Sequence, residues 1–157
     1  MKKFLLALCL LLPAVVFAQS TTKGSIDNLN ATPAFAEIVL GDSITHYLTR
    51  LDLIEELGNG GFKCEATDRD NFAYRLRGVS PIAVYVSVEK HRIKSVYAVY
   101  PYGNSNDLTA GLTEKYGDYS AYSDGSYNWY GKDVFVMSGN NGNKTSYVIY
   151  TYVRPIQ

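Results

Sequence analysis

Apolar residues recur along this chain with two different periods, and each period predicts a different kind of element. In one stretch they recur every three or four positions, which predicts an amphipathic helix over 44–57. In another, over 82–89, they alternate with the residues between them, the period of two that is typical of a strand. The apolar positions of the predicted helix are Ile44, Tyr47, Leu48, Leu51, Ile54 and Leu57. Further strands are predicted at 34–40, 62–66, 72–79 and 93–100. A second helix is predicted at 107–116, capped by Ser105 or Asn106 and closed by Gly117.

Two turn signals divide the C-terminal part of the chain into hairpins. Asp124-Gly125 and Asn141-Gly142 are residue pairs that favour two-residue turns. Counting outward from the first turn pairs Tyr122 with Tyr127, and Trp129 falls on the same face. Because strands follow one another through tight turns and do not alternate with helices, the predicted class is α+β. We expect a mostly antiparallel sheet with two short helices packed on it.

The N-terminal residues predict an export signal. Met1-Lys2-Lys3 is followed by an apolar run over 4–17, with Val16 and Ala18 at the −3 and −1 positions of a cleavage site. The run is too short to cross a bilayer comfortably. We therefore predict a signal peptide over 1–18 and a periplasmic or extracellular protein without a transmembrane segment in its mature form. A flexible segment over 19–33 and a single domain over 34–157 are expected to follow.

Charge and cysteine content exclude several classes of function. The chain has 15 basic and 15 acidic residues, and removing Lys2 and Lys3 with the signal leaves 13 basic residues and a net charge near −2. No basic surface of the kind that binds nucleic acid is expected. Cys64 is the one cysteine that remains, so no intrachain disulfide is predicted. No group of cysteines and histidines has zinc-ligand spacing, and we predict no metal or cofactor.

Tyrosine is the most unusual feature of the composition. Of 14 tyrosines, 11 lie between Tyr97 and Tyr152. The segment 119–130 combines tyrosine and tryptophan with serine, glycine and asparagine, the residue types that recognition surfaces favour. One interpretation is a surface that binds a protein, a peptide or a glycan, and the other is an aromatic hairpin that packs on its own sheet. The candidate binding residues are Tyr119, Tyr122, Tyr127, Trp129 and Tyr130.

One short motif points to different chemistry. Residues 38–45, Ile-Val-Leu-Gly-Asp-Ser-Ile-Thr, resemble the first block of the SGNH (GDSL-type) esterases and lipases, and the resemblance implies Ser43 as a nucleophile. The later Gly-x-Asn-Asp block of that family has one residue too many here, at 103–107. Neither His46 nor His91 stands in the C-terminal Asp-x-x-His that the family needs. We therefore interpret Ser43 as a helix cap.

The layout of the whole chain resembles a second group of proteins. Residues 35–43 leading into a helix, and Leu112-Thr113-Glu114-Lys115-Tyr116-Gly117 followed by a tryptophan and closing strands, are similar to small exported proteins of Gram-negative bacteria. The arrangement also resembles the β-lactamase-inhibitor-like fold, which implies protein binding through a sheet surface. The leading hypothesis is thus a non-catalytic exported binding domain. The alternatives are a small serine esterase that uses Ser43 and an envelope subunit that self-associates through a sheet edge.

Overall fold

An eight-stranded antiparallel sheet organises the chain. The computed structural model describes residues 24–57, 61–66, 75–142 and 144–156. The predicted signal peptide over 1–18 lies outside the described residues, and so do residues 72–74 of the strand predicted over 72–79. Residues 76–79 of that strand form a tight turn, in which Leu76 and Val79 bond to each other through their backbones.

The helices and strands have the following bounds. The helices are α1 (Ile26–Ala31), a 3-10 helix (Ile44–Tyr47) and α2 (Ser105–Tyr116). The strands are β1 (Ala34–Phe35), β2 (Ile38–Val39), β3 (Leu51–Leu57), β4 (Gly61–Ala66), β5 (Ala83–Glu89), β6 (Arg92–Pro101), β7 (Ala121–Ser123), β8 (Ser126–Tyr130), β9 (Val134–Asn141) and β10 (Thr145–Tyr152).

The sheet consists of two four-stranded meanders that meet in its middle. Its strand order is β3-β4-β5-β6-β10-β9-β8-β7, and every neighbouring pair is antiparallel. Helix α2 carries the chain from β6, in the centre, to β7, at the far edge. The last strands of the two meanders, β6 and β10, pair along seven positions. The prediction of a mostly antiparallel sheet is confirmed.

The two faces of the sheet differ in burial. Along β5, β6, β9 and β10, buried residues alternate with half-exposed ones. The buried face forms the core together with α2, α1, the β1–β2 hairpin and the 3-10 helix. The other face is the open face, and its residues on these four strands are mostly half-exposed, whereas Ser126 and Asn128 of β8 are buried there. Fully buried residues of the covered face include Val86, Val96, Ala98, Val136 and Val148.

The helix predicted over 44–57 is wrong. The structure has a 3-10 helix of four residues and then β3. The spacing of three and four that predicted a helix is also compatible with a bulged strand. In β3 the pairing with β4 shifts between Leu53 and Glu55, so Ile54 is an extra residue. Pairing with β4 places Leu51 opposite Ala66 and Leu53 opposite Cys64. These contacts between strands stabilise the extended conformation over the helix that the periodicity predicted.

The flexible segment expected over 19–33 contains helix α1 instead. Leu29 is fully buried, and two polar residues of the helix make long-range bonds. The Asn28 side chain donates to the backbone carbonyl of Lys115, and the side-chain Oδ1 of Asn30 accepts from the Lys132 backbone N–H. A segment that reads as polar is therefore held to the domain through its amides. The single strand expected over 34–40 is a small hairpin, β1–β2.

The second predicted helix is confirmed, with an earlier start. Helix α2 begins at Ser105 after the cap residue Asn104, whose side chain makes no capping bond, so neither predicted cap residue (Ser105 or Asn106) has that position. Gly117 closes α2 with φ at 81°, and its N–H bonds to the Thr113 carbonyl. Tyr122 pairs with Tyr127 as predicted.

The last hairpin is shifted from the predicted register. Asn141 pairs with Thr145, so the turn is one residue longer than the two-residue turn expected. Val136 consequently lies opposite Tyr150 and not opposite Tyr147. This register buries Val148 and Tyr150 and turns Tyr147 to the open face, so burial of the larger apolar set decides it.

Candidate functional site

Trp129 does not lie on a surface. It is fully buried on the covered face of β8, and its indole N–H donates to the Gly117 carbonyl at 2.9 Å. This bond ties β8 to the residue that ends α2. Trp129 therefore belongs to the core in this structure and is not available to a partner.

Three of the other candidate tyrosines form a cluster near the edge of the sheet at β7. The rings of Tyr122 and Tyr127 are 4.8 Å apart, and those of Tyr119 and Tyr127 are 5.0 Å apart. Tyr119 and Tyr122 are 45% and 59% exposed. We call Tyr119, Tyr122 and Tyr127 the hairpin cluster. Its rings pack beside one another while much of their surface stays in contact with solvent.

Tyr130 lies on the opposite face from the hairpin cluster. It is 55% exposed and stacks on Phe135 of β9, with ring centroids 5.3 Å apart. The five candidate residues thus occupy three places: the core, the β7 edge of the covered face, and the open face.

The open face carries a row of tyrosines that the sequence analysis missed as a site. Tyr85 and Tyr97 are directly opposite each other on β5 and β6 and stack at 6.2 Å. Tyr147, on β10, lies 6.0 Å from Tyr97, measured between ring centroids. We call Tyr85, Tyr97 and Tyr147 the tyrosine ladder. At one end, the ammonium group of Lys63 lies 4.6 Å from the centre of the Tyr85 ring, a cation–π contact.

A glycine allows the ladder to reach a further strand. Tyr147 pairs with Gly139, and a Cβ atom on Gly139 would lie 2.8 Å from the Tyr147 hydroxyl oxygen. Without that Cβ, the ring crosses β9 and its hydroxyl forms a 2.8 Å hydrogen bond with the Ser126 hydroxyl on β8. The ladder and its flanking contacts therefore extend from β4 to β8.

The protonation state of Tyr97, the central residue of the ladder, suits hydrogen bonding. Burial raises the pKa of Tyr97 above its ordinary value of 10.0, with smaller contributions from Tyr147 and Tyr85. The Tyr97 phenol is thus neutral at physiological pH and can both donate and accept. The period-two pattern of β5 places Tyr85 on the face opposite Val84 and Val86, but only the register across β6 and β10 shows that three such tyrosines meet.

Ser43 is the cap of the 3-10 helix, as the sequence analysis interpreted it. Its hydroxyl accepts from the Thr45 N–H at 3.3 Å and lies 2.8 Å from the Thr45 hydroxyl. His46 instead bonds through Nδ1 to the Asp42 carboxylate at 2.9 Å, and this bond lowers the pKa of Asp42 below its ordinary value of 3.8. Within the described ranges, no hydrogen bond joins the Ser43 hydroxyl to a histidine ring.

Cys64 is a buried free thiol in β4, the role expected for it. Burial raises its pKa above the ordinary value of 9.0, and the nearby Asp52 carboxylate adds to the effect. The described residues contain no group of three or more acidic, histidine or cysteine side chains that could hold a metal ion. None of the helices in this part of the chain has the length and apolar character that a bilayer crossing requires.

Comparison with known proteins adds no identity. No protein-family description, no curated protein and no solved structure matches this chain. The function is therefore inferred from the residues of the chain and their geometry.

Proposed function

We propose that this chain is an exported, non-catalytic binding domain that recognises a protein or peptide through the open face of its sheet. The observation that carries the proposal is the tyrosine ladder of Tyr85, Tyr97 and Tyr147. Tyrosine offers a large contact area with few rotatable bonds, so ordering it on binding costs little entropy. The phenol hydroxyls add hydrogen bonds that orient a partner.

The ladder is rigid before any partner arrives. Each of its rings contacts the next, and its ends are held by the Lys63 ammonium group and the Ser126 hydroxyl. A surface that is ordered in the free protein loses less side-chain freedom when it binds. Tyr130 and its stacking partner Phe135 lie on the same face and extend the aromatic area toward β8 and β9.

The predicted resemblance to the β-lactamase-inhibitor-like fold supports the same proposal, since that group binds protein through a sheet surface. The resemblance stays a prediction, and the helix after residue 43 on which it was partly based is a 3-10 helix of four residues. The hairpin cluster is a second candidate contact region, on the covered side of the β7 edge. A glycan is an alternative partner, because aromatic rings also stack on sugars.

A peptide selection tests the proposal. A phage-displayed library of random peptides is selected on the immobilised protein, and the affinity of the enriched peptides is measured by fluorescence anisotropy. The Tyr85→Ala, Tyr97→Ala double variant should weaken binding by about tenfold or more, the effect of removing central aromatic contacts. The matched control is Tyr102→Ala, which removes a tyrosine that is 54% exposed in the turn after β6, and it should leave the affinity unchanged.

The hairpin cluster provides the decisive contrast. If Tyr119→Ala with Tyr122→Ala abolishes binding while the ladder variant retains it, the open face is not the recognition surface. If no peptide is enriched and the protein captures envelope glycans on an array, the partner is a glycan and not a peptide. Thermal unfolding of each variant shows whether the loss of binding comes from loss of the fold.

The esterase alternative stays a prediction with its own test. Hydrolysis of a short-chain nitrophenyl ester by the pure protein, abolished in the Ser43→Ala variant, would establish a Ser43 hydrolase and overturn the non-catalytic proposal.

A further inference from the structure

Strand β3 is an edge strand with an unusual amount of exposed surface. It forms one end of the eight-stranded sheet and pairs with β4 on one side only. Of its seven residues, Leu51 is buried and the other six are exposed. The opposite edge, β7, has three residues. A short edge strand offers few free backbone groups, whereas β3 is long enough to pair with another strand.

One side of β3 is mostly apolar, and Glu56 contributes one carboxylate to it. Leu53 is 60% exposed, and Leu48, which follows the 3-10 helix, is 61% exposed. Together with Phe62 of β4 they line a groove of about 520 Å³ beside the edge. Helix α2 covers β9 and β10 in the other meander, and within the described residues no helix covers this groove. The apolar side chains are therefore available to side chains from a partner.

The other chemistry of β3 is acidic. Asp52, Glu55 and Glu56 are exposed, and none of them forms an ion pair with another described residue. Lys63 lies opposite Glu55 in the pairing of β3 with β4, but its ammonium group is over the Tyr85 ring. Asp52 lies opposite another acid, Glu65. The edge thus presents unneutralised negative charge along a free strand.

We propose that the β3 edge binds an extended segment of a partner protein in which apolar and basic residues alternate, so that the segment adds a ninth strand to the sheet. Backbone hydrogen bonds to β3 would supply affinity, and alternate side chains would supply specificity. The apolar residues of the segment would enter the groove lined by Leu48, Leu53 and Phe62. Its basic residues would lie beside the acids of β3.

Charge selects this occupant over a second copy of the chain. Two β3 strands in antiparallel pairing would bring acids together; centred on Ile54, for example, Asp52 of one copy would face Glu56 of the other. Like charges directly opposite each other destabilise a strand pair. The negative charge therefore disfavours self-association through this edge and favours a basic segment.

Labelled peptides of about seven residues, the length of a typical strand, test the inference with the full-length protein. The first alternates valine and lysine, the second alternates valine and glutamate, and the third is the lysine peptide with prolines that prevent strand pairing. We expect the first peptide alone to bind, more weakly as salt rises. Its binding should slow amide hydrogen exchange at residues 51–57 by about tenfold or more, because new strand pairing protects the edge amides.

A charge-reversal variant sharpens the test. Asp52→Lys places a lysine opposite Glu65, so the fold should be kept, and it should weaken binding of the lysine peptide by about tenfold, the loss of a favourable charge contact. The matched control is Asp107→Lys in the first turn of α2, which makes the same change in net charge far from β3. The Tyr97→Ala variant, which leaves the contact between Lys63 and Tyr85 in place, should bind this peptide normally, so the two proposals can fail separately.

Any of the following results would overturn the inference. Both charged peptides bind alike, or neither binds. Asp52→Lys and Asp107→Lys weaken binding equally. The lysine peptide binds without slowing amide exchange in β3. Exchange in β3 of the free protein is already as slow as exchange in β6. A dimer in sedimentation that Asp52→Lys strengthens would also overturn it and assign the edge to a second copy.

Discussion

The two meanders of the sheet have the same strand arrangement, but among the described residues a long helix packs only on the second one. Helix α2 packs on β9 and β10 and contributes Leu108, Leu112 and Tyr116, all nearly or completely buried. Over β3 and β4, the part of the chain that the structure describes places a 3-10 helix of four residues. The difference teaches that the covering element, and not the sheet, decides where the core of this protein ends.

The difference in cover appears in the burial of side chains on the covered face. In the covered meander, the hydroxyl groups of Tyr116 and Tyr150 approach to 3.1 Å in a fully buried contact, and burial raises the pKa of Tyr150 well above 10.0. In the uncovered meander, Leu53 faces the same side of the sheet and is 60% exposed. Buried aromatic side chains thus stabilise the meander under α2, while apolar side chains at the β3 edge of the other meander remain available for binding.

The largest effect is expected for Trp129→Ala in the covered meander. It removes a fully buried indole and its hydrogen bond to Gly117, and should lower the free energy of unfolding by about 3–5 kcal/mol. Urea denaturation followed by circular dichroism measures it. The matched variant Tyr122→Ala, from the same hairpin, removes a ring that is 59% exposed and should cost less than about 1 kcal/mol. Equal losses would contradict the difference in burial between Trp129 and Tyr122.

A pair of identical substitutions compares the two meanders directly. Leu112→Ala empties a site under α2 and should cost about 2–5 kcal/mol, whereas Leu53→Ala in β3 should cost less than about 1 kcal/mol. Thermal unfolding of both variants gives the comparison. If Leu53→Ala is as costly as Leu112→Ala, the groove beside β3 is covered in solution and the contrast between the meanders is wrong.

The smallest expected effect concerns pH and the turn that precedes the 3-10 helix. His46 lowers the pKa of Asp42 in the folded protein, so the folded chain binds fewer protons than the unfolded chain below pH 3.8. The stabilisation is fully present above about pH 4 and is lost as the pH falls through the folded pKa; it is below about 1 kcal/mol because the pair is partly exposed.

Melting temperatures over that acidic range test the assignment to Asp42. The Asp42→Asn variant should lack this part of the acid sensitivity, and Asp124→Asn, in the exposed β7–β8 turn, should retain it. An unchanged slope in the Asp42 variant would place the acid-sensitive group elsewhere.

Local sequence signals predicted the parts of the fold that depend on local chemistry. Gly117 ends α2 where a glycine with positive φ was expected, and Asp124-Gly125 forms the predicted tight turn with Tyr122 opposite Tyr127. The alternation over 82–89 appears as β5, and Ser43 caps the 3-10 helix that begins at Ile44. These features are determined by the sequence alone because backbone conformation, capping and period involve residues a few positions apart.

Tertiary structure decided what local patterns leave open. Leu51 to Leu57 could form a helical stripe or a bulged strand, and pairing with β4 selected the strand. The register of β9 and β10 turned Tyr147 outward, next to Tyr97 and over Gly139, and so created the tyrosine ladder. Burial of Trp129 separated it from the tyrosines beside it in the sequence. Such outcomes depend on contacts between distant residues, whose free energy is realised only when the whole sheet assembles.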